Sequence, residues 1–277
     1  MKSSEVTGLR QPALVLTLGA VLAFAVMLIG IALTGASTPT VIADPGALVR
    51  WGLPIVDVVV QLGCAVTIGA LALAAFVLPR TGKNAENAWK AAVRTAAVAS
   101  VIWTVAVGIQ LVLTYAQVSG LPVGGEKFGG ERGIFLTQIE IGQAGLWALI
   151  LTALTSLLTV AVSGYTSAIL ATILALVSLA PVAQTGHAAG AADHTVAVGS
   201  LWLHLAGVTL WIGGLAVLAV LAPLLKDGTA KAASRYSSLA IWAFALVATS
   251  GIVNASVRLG GLEGLATPYG ALVIGKV

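Results

Sequence analysis

Imidazole and carboxylate side chains, the groups that could do chemistry, gather in one short stretch of this chain. All three histidines, His187, His194 and His204, fall within 18 residues, and Asp193 stands directly before the second. Imidazole nitrogen with carboxylate oxygen is a donor set that suits copper, zinc, iron or nickel. His187 and His194 are seven residues apart, two helical turns, so they share a face wherever that segment is helical. The same stretch carries Trp202 and Trp211, which read as packing or membrane-belt residues. His187, His194 and His204 are therefore the candidate metal ligands, with Asp57, Asp193 and Trp211 as candidates for the surrounding shell. Asp57 has two readings: a carboxylate that orients an imidazole, or one near a helix start that favours the helix dipole. For the histidines the alternative is a set of loop residues with no common ligand.

Little else in the chain could carry a reaction. There is no Ser/His/Asp set, phosphate-binding loop or HExxH motif, so no enzymatic activity is expected. The single cysteine, Cys64, excludes an intrachain disulfide and a CxxC site, and it lies inside an apolar run as a small buried residue. The net charge of +4 comes from basic residues in short segments between apolar runs. No basic, aromatic-interleaved surface of the nucleic-acid kind is present, so no nucleic-acid partner is expected.

The elements that must position the histidines are membrane helices. The chain is 58% hydrophobic and 9% charged, against about 25% charged in soluble domains. Its apolar runs are continuous over about 20 residues, long enough to span as helices, and lack the alternation of barrel strands. The expected fold is an all-α polytopic bundle of about eight spans in the lipid bilayer. Spans are expected at about 12–34, 53–78, 91–115, 138–162, 167–183, 196–225 and 237–257. An eighth run opens at Pro268 but stops ten residues later at Val277, so the expectation is a chain shortened at its C-terminus. The run at 12–34 is too long for a secretory signal and reads as an uncleaved first span. Lys2, Arg10, Arg80, Lys83, Lys90, Arg94, Lys226, Lys231 and Arg235 fall on one side of this topology. Arg50, Lys127, Arg132 and Arg258 fall on the other, which sets the N-terminus in the cytoplasm by the positive-inside rule. His187, Asp193 and His194 then lie in an outer loop and His204 in the outer half of the sixth span. Asp57, Gln61, Glu140 and Asn254 are expected on the same side.

The string LWLHLAGVTLWIGGL at 201–215 resembles the signature helix of the CopD family of bacterial copper-resistance membrane proteins, a histidine followed seven residues later by Trp-x-Gly-Gly-Leu. TGHA at 185–188 and TPYGALVIGK at 267–276 agree with that family in order and spacing. The resemblance covers 185 to the end, while over 1–184 it is one of architecture alone. It therefore divides a single membrane domain into an N-terminal five-helix part, 1–184, and a CopD-like part, 185–277. It implies a plasma-membrane protein that handles copper on the extracytoplasmic side, with His187 and His204 matching family histidines. It also implies a copper ion or an extracytoplasmic copper chaperone as partner, and in actinobacteria a following CtaG-like cytochrome c oxidase assembly domain. One departure is that Met1 and Met27, the only methionines, both lie away from the site, so any copper site here is His-rich.

Copper transport or delivery, in support of copper resistance or oxidase assembly, is thus the leading expectation. A non-catalytic scaffold bound to other membrane subunits is the second. A b-type haem protein is the third and less favoured, because only His204 lies clearly inside a span and a bis-His haem needs two facing histidines.

Overall fold

Lipid offers the backbone no hydrogen-bond partners, so each apolar run must satisfy its own N–H and C=O groups by coiling. The computed structural model describes residues 44–184 and 194–259, with Ala25, Leu28, Ile29, Gly30 and Thr38; the side chains of His194, Val257 and Arg258 are excepted. The described residues are helical, with no strand among them. Their apolar stretches long enough to cross a membrane are Ala47–Val77, Lys83–Ser119, Glu140–Val160, Tyr165–Gln184 and Thr195–Ser256. The all-α membrane bundle expected from the sequence is what the chain forms. The expected first span and the run from Pro268 lie outside the described residues.

Helix α1 covers Ala47–Ala72 and continues through a π-helical turn, Leu73–Val77. It begins before the expected 53. Gly46, at φ 94°, turns the chain into the helix, and its amide donates to the Asp44 carboxylate at 3.0 Å. Arg50, in the first turn, pairs with the same carboxylate. Pro54 lies within α1, where a membrane helix tolerates the missing N–H. Asp57 is consequently the eleventh residue of α1, and the helix-start reading of it is corrected.

The Arg50 guanidinium, and after it the Gly46 amide, hold the Asp44 carboxyl below the ordinary carboxylate range. A pKa lowered by folding gives stability that is present above the unfolded value and lost as pH falls through the folded one. Arg50→Gln is expected to return the Asp44 titration toward the ordinary range, read by carboxyl carbon NMR. The melting temperature should hardly move, because such exposed pairs contribute little.

Helix α2, Lys83–Ser119, has 37 residues, or about 55 Å at 1.5 Å per residue. It therefore overruns a hydrocarbon core of about 30 Å. Its polar first turns carry an Glu86–Lys90 ion pair at 2.6 Å, and it ends at Gly120 in the left-handed conformation (φ 67°). The connection left at 116–137 between the expected spans is shorter than expected, because Arg132–Gln138 coils into α3 and folds onto α4, Glu140–Val160. Helix α5, Tyr165–Val177, stops at Ser178 ahead of Pro181, which has no N–H for the Val177 carbonyl; α6, Ala180–Gln184, follows.

Helix α7, His194–Val208, passes through a second π-helical turn, Thr209–Gly213, into α8, Gly214–Leu225. A tight turn at Lys226–Gly228 then reverses the chain into α9, Thr229–Leu259. The two arms pack antiparallel: Gly207 lies against Ala243 and Val247, Gly214 against Tyr236, and the Trp211 ring stands edge-on to Phe244 at 5.2 Å. Gly207, Trp211 and Gly214 thus form one stripe, and that stripe faces α9.

Helix α1 crosses the second π turn where Gly69 and Gly213 meet backbone to backbone. Arg235 of α9 donates to the Val77 and Leu78 carbonyls at 3.4 and 3.3 Å, which the end of the first π turn leaves open. Ile68, Leu71, Leu73 and Trp103 are fully buried around this crossing. Arg80 covers the Tyr165 ring at 4.7 Å, and Gly228 lies beside Pro79. The connections at 78–83, 161–164 and 226–228 therefore share one end of the bundle, and it is the end rich in lysine and arginine.

Candidate metal site at His204

His204 is half-buried on the third turn of α7, on the side that faces α9. Its Nδ1 lies 3.2 Å from the Ser250 hydroxyl, across the α7–α9 contact. Ser200, one turn earlier, donates its own hydroxyl to the Ser250 carbonyl at 3.3 Å. The close approach comes from small residues. A Cβ on Gly207 would stand 2.8 Å from the Ala243 carbonyl oxygen, and Gly251 presents only its hydrogens to the His204 ring.

The hydrogen count at Ser250 favours one tautomer of the imidazole. The Ser250 hydroxyl has one proton, and the Leu246 carbonyl one turn back takes it. Its oxygen is then the acceptor, and His204 Nδ1–H is the donor. That tautomer leaves the lone pair on Nε2, which has no hydrogen-bond partner among the described residues. A ring held through one nitrogen, with the other free to bind, is the usual preparation of a metal-binding histidine.

The other candidates are distributed as follows. His187 and Asp193 lie outside the described residues, and His194 opens α7. Trp211 packs on Phe244 and accepts the Tyr236 hydroxyl at its backbone carbonyl, so it braces the α7–α9 contact. Trp202 donates its indole N–H to the Leu176 carbonyl at 2.9 Å, the packing role expected of it. Cys64 is buried, and its thiol donates to the Gln61 carbonyl. Among the described residues, no three of His, Cys, Asp and Glu come together to hold a metal ion.

Asp57 meets an amide: Gln110 of α2 donates to its carboxylate at 2.7 Å. Depth and direction separate here. Ala65 and Gly213 touch at the helix crossing, and α1 and α7–α8 run in the same direction. Asp57 lies eight residues before Ala65 and His204 nine before Gly213, about 12–14 Å to the same side of the crossing. The two polar groups share a level of the bundle but face different neighbours, α2 and α9.

Ser250 was missed by the reading of the sequence. The trio Thr249, Ser250 and Gly251 interrupts the apolar run of α9, with Asn254 one turn on, and that interruption was the available signal.

The Asp57–Gln110 contact carries its own prediction. Gln110→Leu leaves the half-buried carboxylate without this partner and is expected to destabilise the protein by about 1–3 kcal/mol. Asp57→Leu in the same chain should recover most of the loss, since removing both partners is close to neutral. Detergent melting curves of the two variants check this, and an unrecovered double variant would assign Gln110 a different role.

The geometry can now be set beside known proteins. The family model for the copper resistance protein D-like N-terminal domain matches residues 47–194, and that for copper resistance protein D matches residues 230–277. The first match runs through α1 to α6, where the sequence resemblance had been architectural alone. The histidine–tryptophan string at 201–215 falls between the two matched segments. Comparison with curated proteins and with solved structures finds no match.

Proposed function

The chain belongs to the copper resistance protein D-like family, a copper-resistance membrane protein, and on that premise we propose that it binds copper through His204 on the extracytoplasmic side. The observation that carries the proposal is the oriented imidazole, with Nδ1 committed to Ser250 and Nε2 free. Copper is the cargo here. His187 and His194, adjacent in sequence, are proposed as the further nitrogen ligands, which suits a copper site without methionine. Asp193 is proposed to support those imidazoles.

The side of the membrane follows from charge. The end bearing Arg80, Lys83, Lys226, Lys231 and Arg235 is assigned to the cytoplasm, which puts the level of His204 in the outer half. Between that level and the basic end, the described residues supply no carboxylate or imidazole facing the interior. This favours capture and delivery at the outer face, to a copper chaperone or another membrane subunit, over passage through the bundle. No catalytic role is proposed.

The test is metal content of the detergent-purified full chain after copper loading, with the parent beside His187→Ala/His204→Ala. Stoichiometric copper in the parent that disappears in the double variant is the expected result. Equal copper in both, or none in either, overturns it.

A further inference from the structure

We infer that the groove between α1 and α2 is a binding site for one anionic phospholipid, with the phosphate on Arg94 and an acyl chain along the groove. The groove encloses about 640 Å³. Its walls are Val59, Leu62 and Val66 of α1 and Val98 and Ile102 of α2, with Arg94 and Thr95 toward one end. Val59, Leu62, Val98 and Ile102 are all exposed, so the floor is open to lipid along its length.

Charge singles out the occupant. Arg94 lies 11 residues into α2, about 16 Å from its first residue, and therefore within the apolar part of the helix. The ion pairs among the described residues are Asp44–Arg50 and Glu86–Lys90. Lys90, one turn before Arg94, is thus already matched, and among the described residues the Arg94 guanidinium pairs with no carboxylate. A cation at that depth is costly unless it snorkels to the interface or meets an anion. A guanidinium holds phosphate through paired N–H donors. The α1 face of the groove offers no countercharge, and Thr95 adds a hydroxyl beside the guanidinium.

The shape fits the same amphiphile. From Ile102 to Arg94 the apolar floor runs eight residues, about 12 Å, toward the basic end of the bundle. A ligand with one charge at one end and a hydrocarbon chain along the rest satisfies every wall. This site shares no lining residue with the His204 site and is independent of the copper reading.

The experiment is native mass spectrometry of the full chain after incubation in mixed micelles of phosphatidylglycerol and phosphatidylcholine with identical acyl chains. The parent is expected to retain phosphatidylglycerol in preference to phosphatidylcholine. Arg94→Gln should lower that preference about fivefold, the share of one basic residue near an anionic headgroup. Val98→Trp, which fills the groove and leaves Arg94 in place, should reduce retention of both lipids. Melting curves confirm that the variants compared are folded. Equal retention of the two lipids by the parent, or parent-like preference in Arg94→Gln, overturns the assignment. A parent that retains no lipid and forms a dimer lost in Val98→Trp also overturns it, in favour of a second copy of this chain.

Discussion

Ser250→Ala is expected to weaken copper binding by about 10–100-fold, and His204→Ala to abolish it. The two effects follow from one geometry. With the Leu246 carbonyl holding the Ser250 proton, the hydroxyl oxygen accepts His204 Nδ1–H and selects the tautomer that bares Nε2. Without the hydroxyl, the ring can rotate or carry its proton on Nε2, and either change must be reversed before metal binds. Ser250→Thr keeps a hydroxyl at the same position and should recover most of the affinity. Competition titration of the purified chain against a copper chelator reads all three variants, and melting curves separate lost binding from lost structure. If Ser250→Ala binds like the parent, the hydroxyl is a helix contact only. If His204→Ala keeps its copper, the site lies elsewhere in the chain.

Gly213→Leu is expected to prevent the bundle from assembling. A Cβ at this position would stand far inside van der Waals contact with the Ala65 carbonyl oxygen, and one at Gly69 would collide with the Gly213 backbone. Both obstacles are backbone, which cannot swing aside as a side chain can. Overpacking a core costs about 1–3 kcal/mol where neighbours adjust, and here two helices must separate. The separation would also pull the α7–α8 arm away from α1, which shares its level with the metal site. Size-exclusion profiles and melting curves in detergent measure the effect. Gly108→Ala is the control, because its Cβ would meet only the flexible Leu149 side chain at 3.6 Å. A Gly213→Leu chain that melts like the control would show that the crossing relaxes freely.

Much of this arrangement was legible in the residues. Long apolar runs had to become helices, because lipid leaves the backbone no other partner. The order of the spans followed from the polar breaks between them. His204 had to lie inside a span, since it stands within one apolar run, and residues 207, 211 and 214, spaced four and three apart, had to share a helix face. The boundaries were less legible: α1 reaches past Pro54 to Gly46, and α2 extends through the polar stretch from Lys83.

The pairings were decided only by the tertiary structure. His204 meets Ser250 46 residues away, and Gln110 meets Asp57 53 residues away. Each depends on how its helix is rotated about its own axis and on where it crosses its neighbour. In a soluble helix that rotation can be read from polarity, because one side must face water. Here the outside is hydrocarbon, as apolar as the inside, so polarity does not mark the buried face. Rotation and crossing are set by where backbones can touch, at Gly69 with Gly213 and Gly207 with Ala243. The composition of the chain determined that His204 would sit in a membrane-helix bundle; the contacts of its glycines determined which partner holds the His204 imidazole.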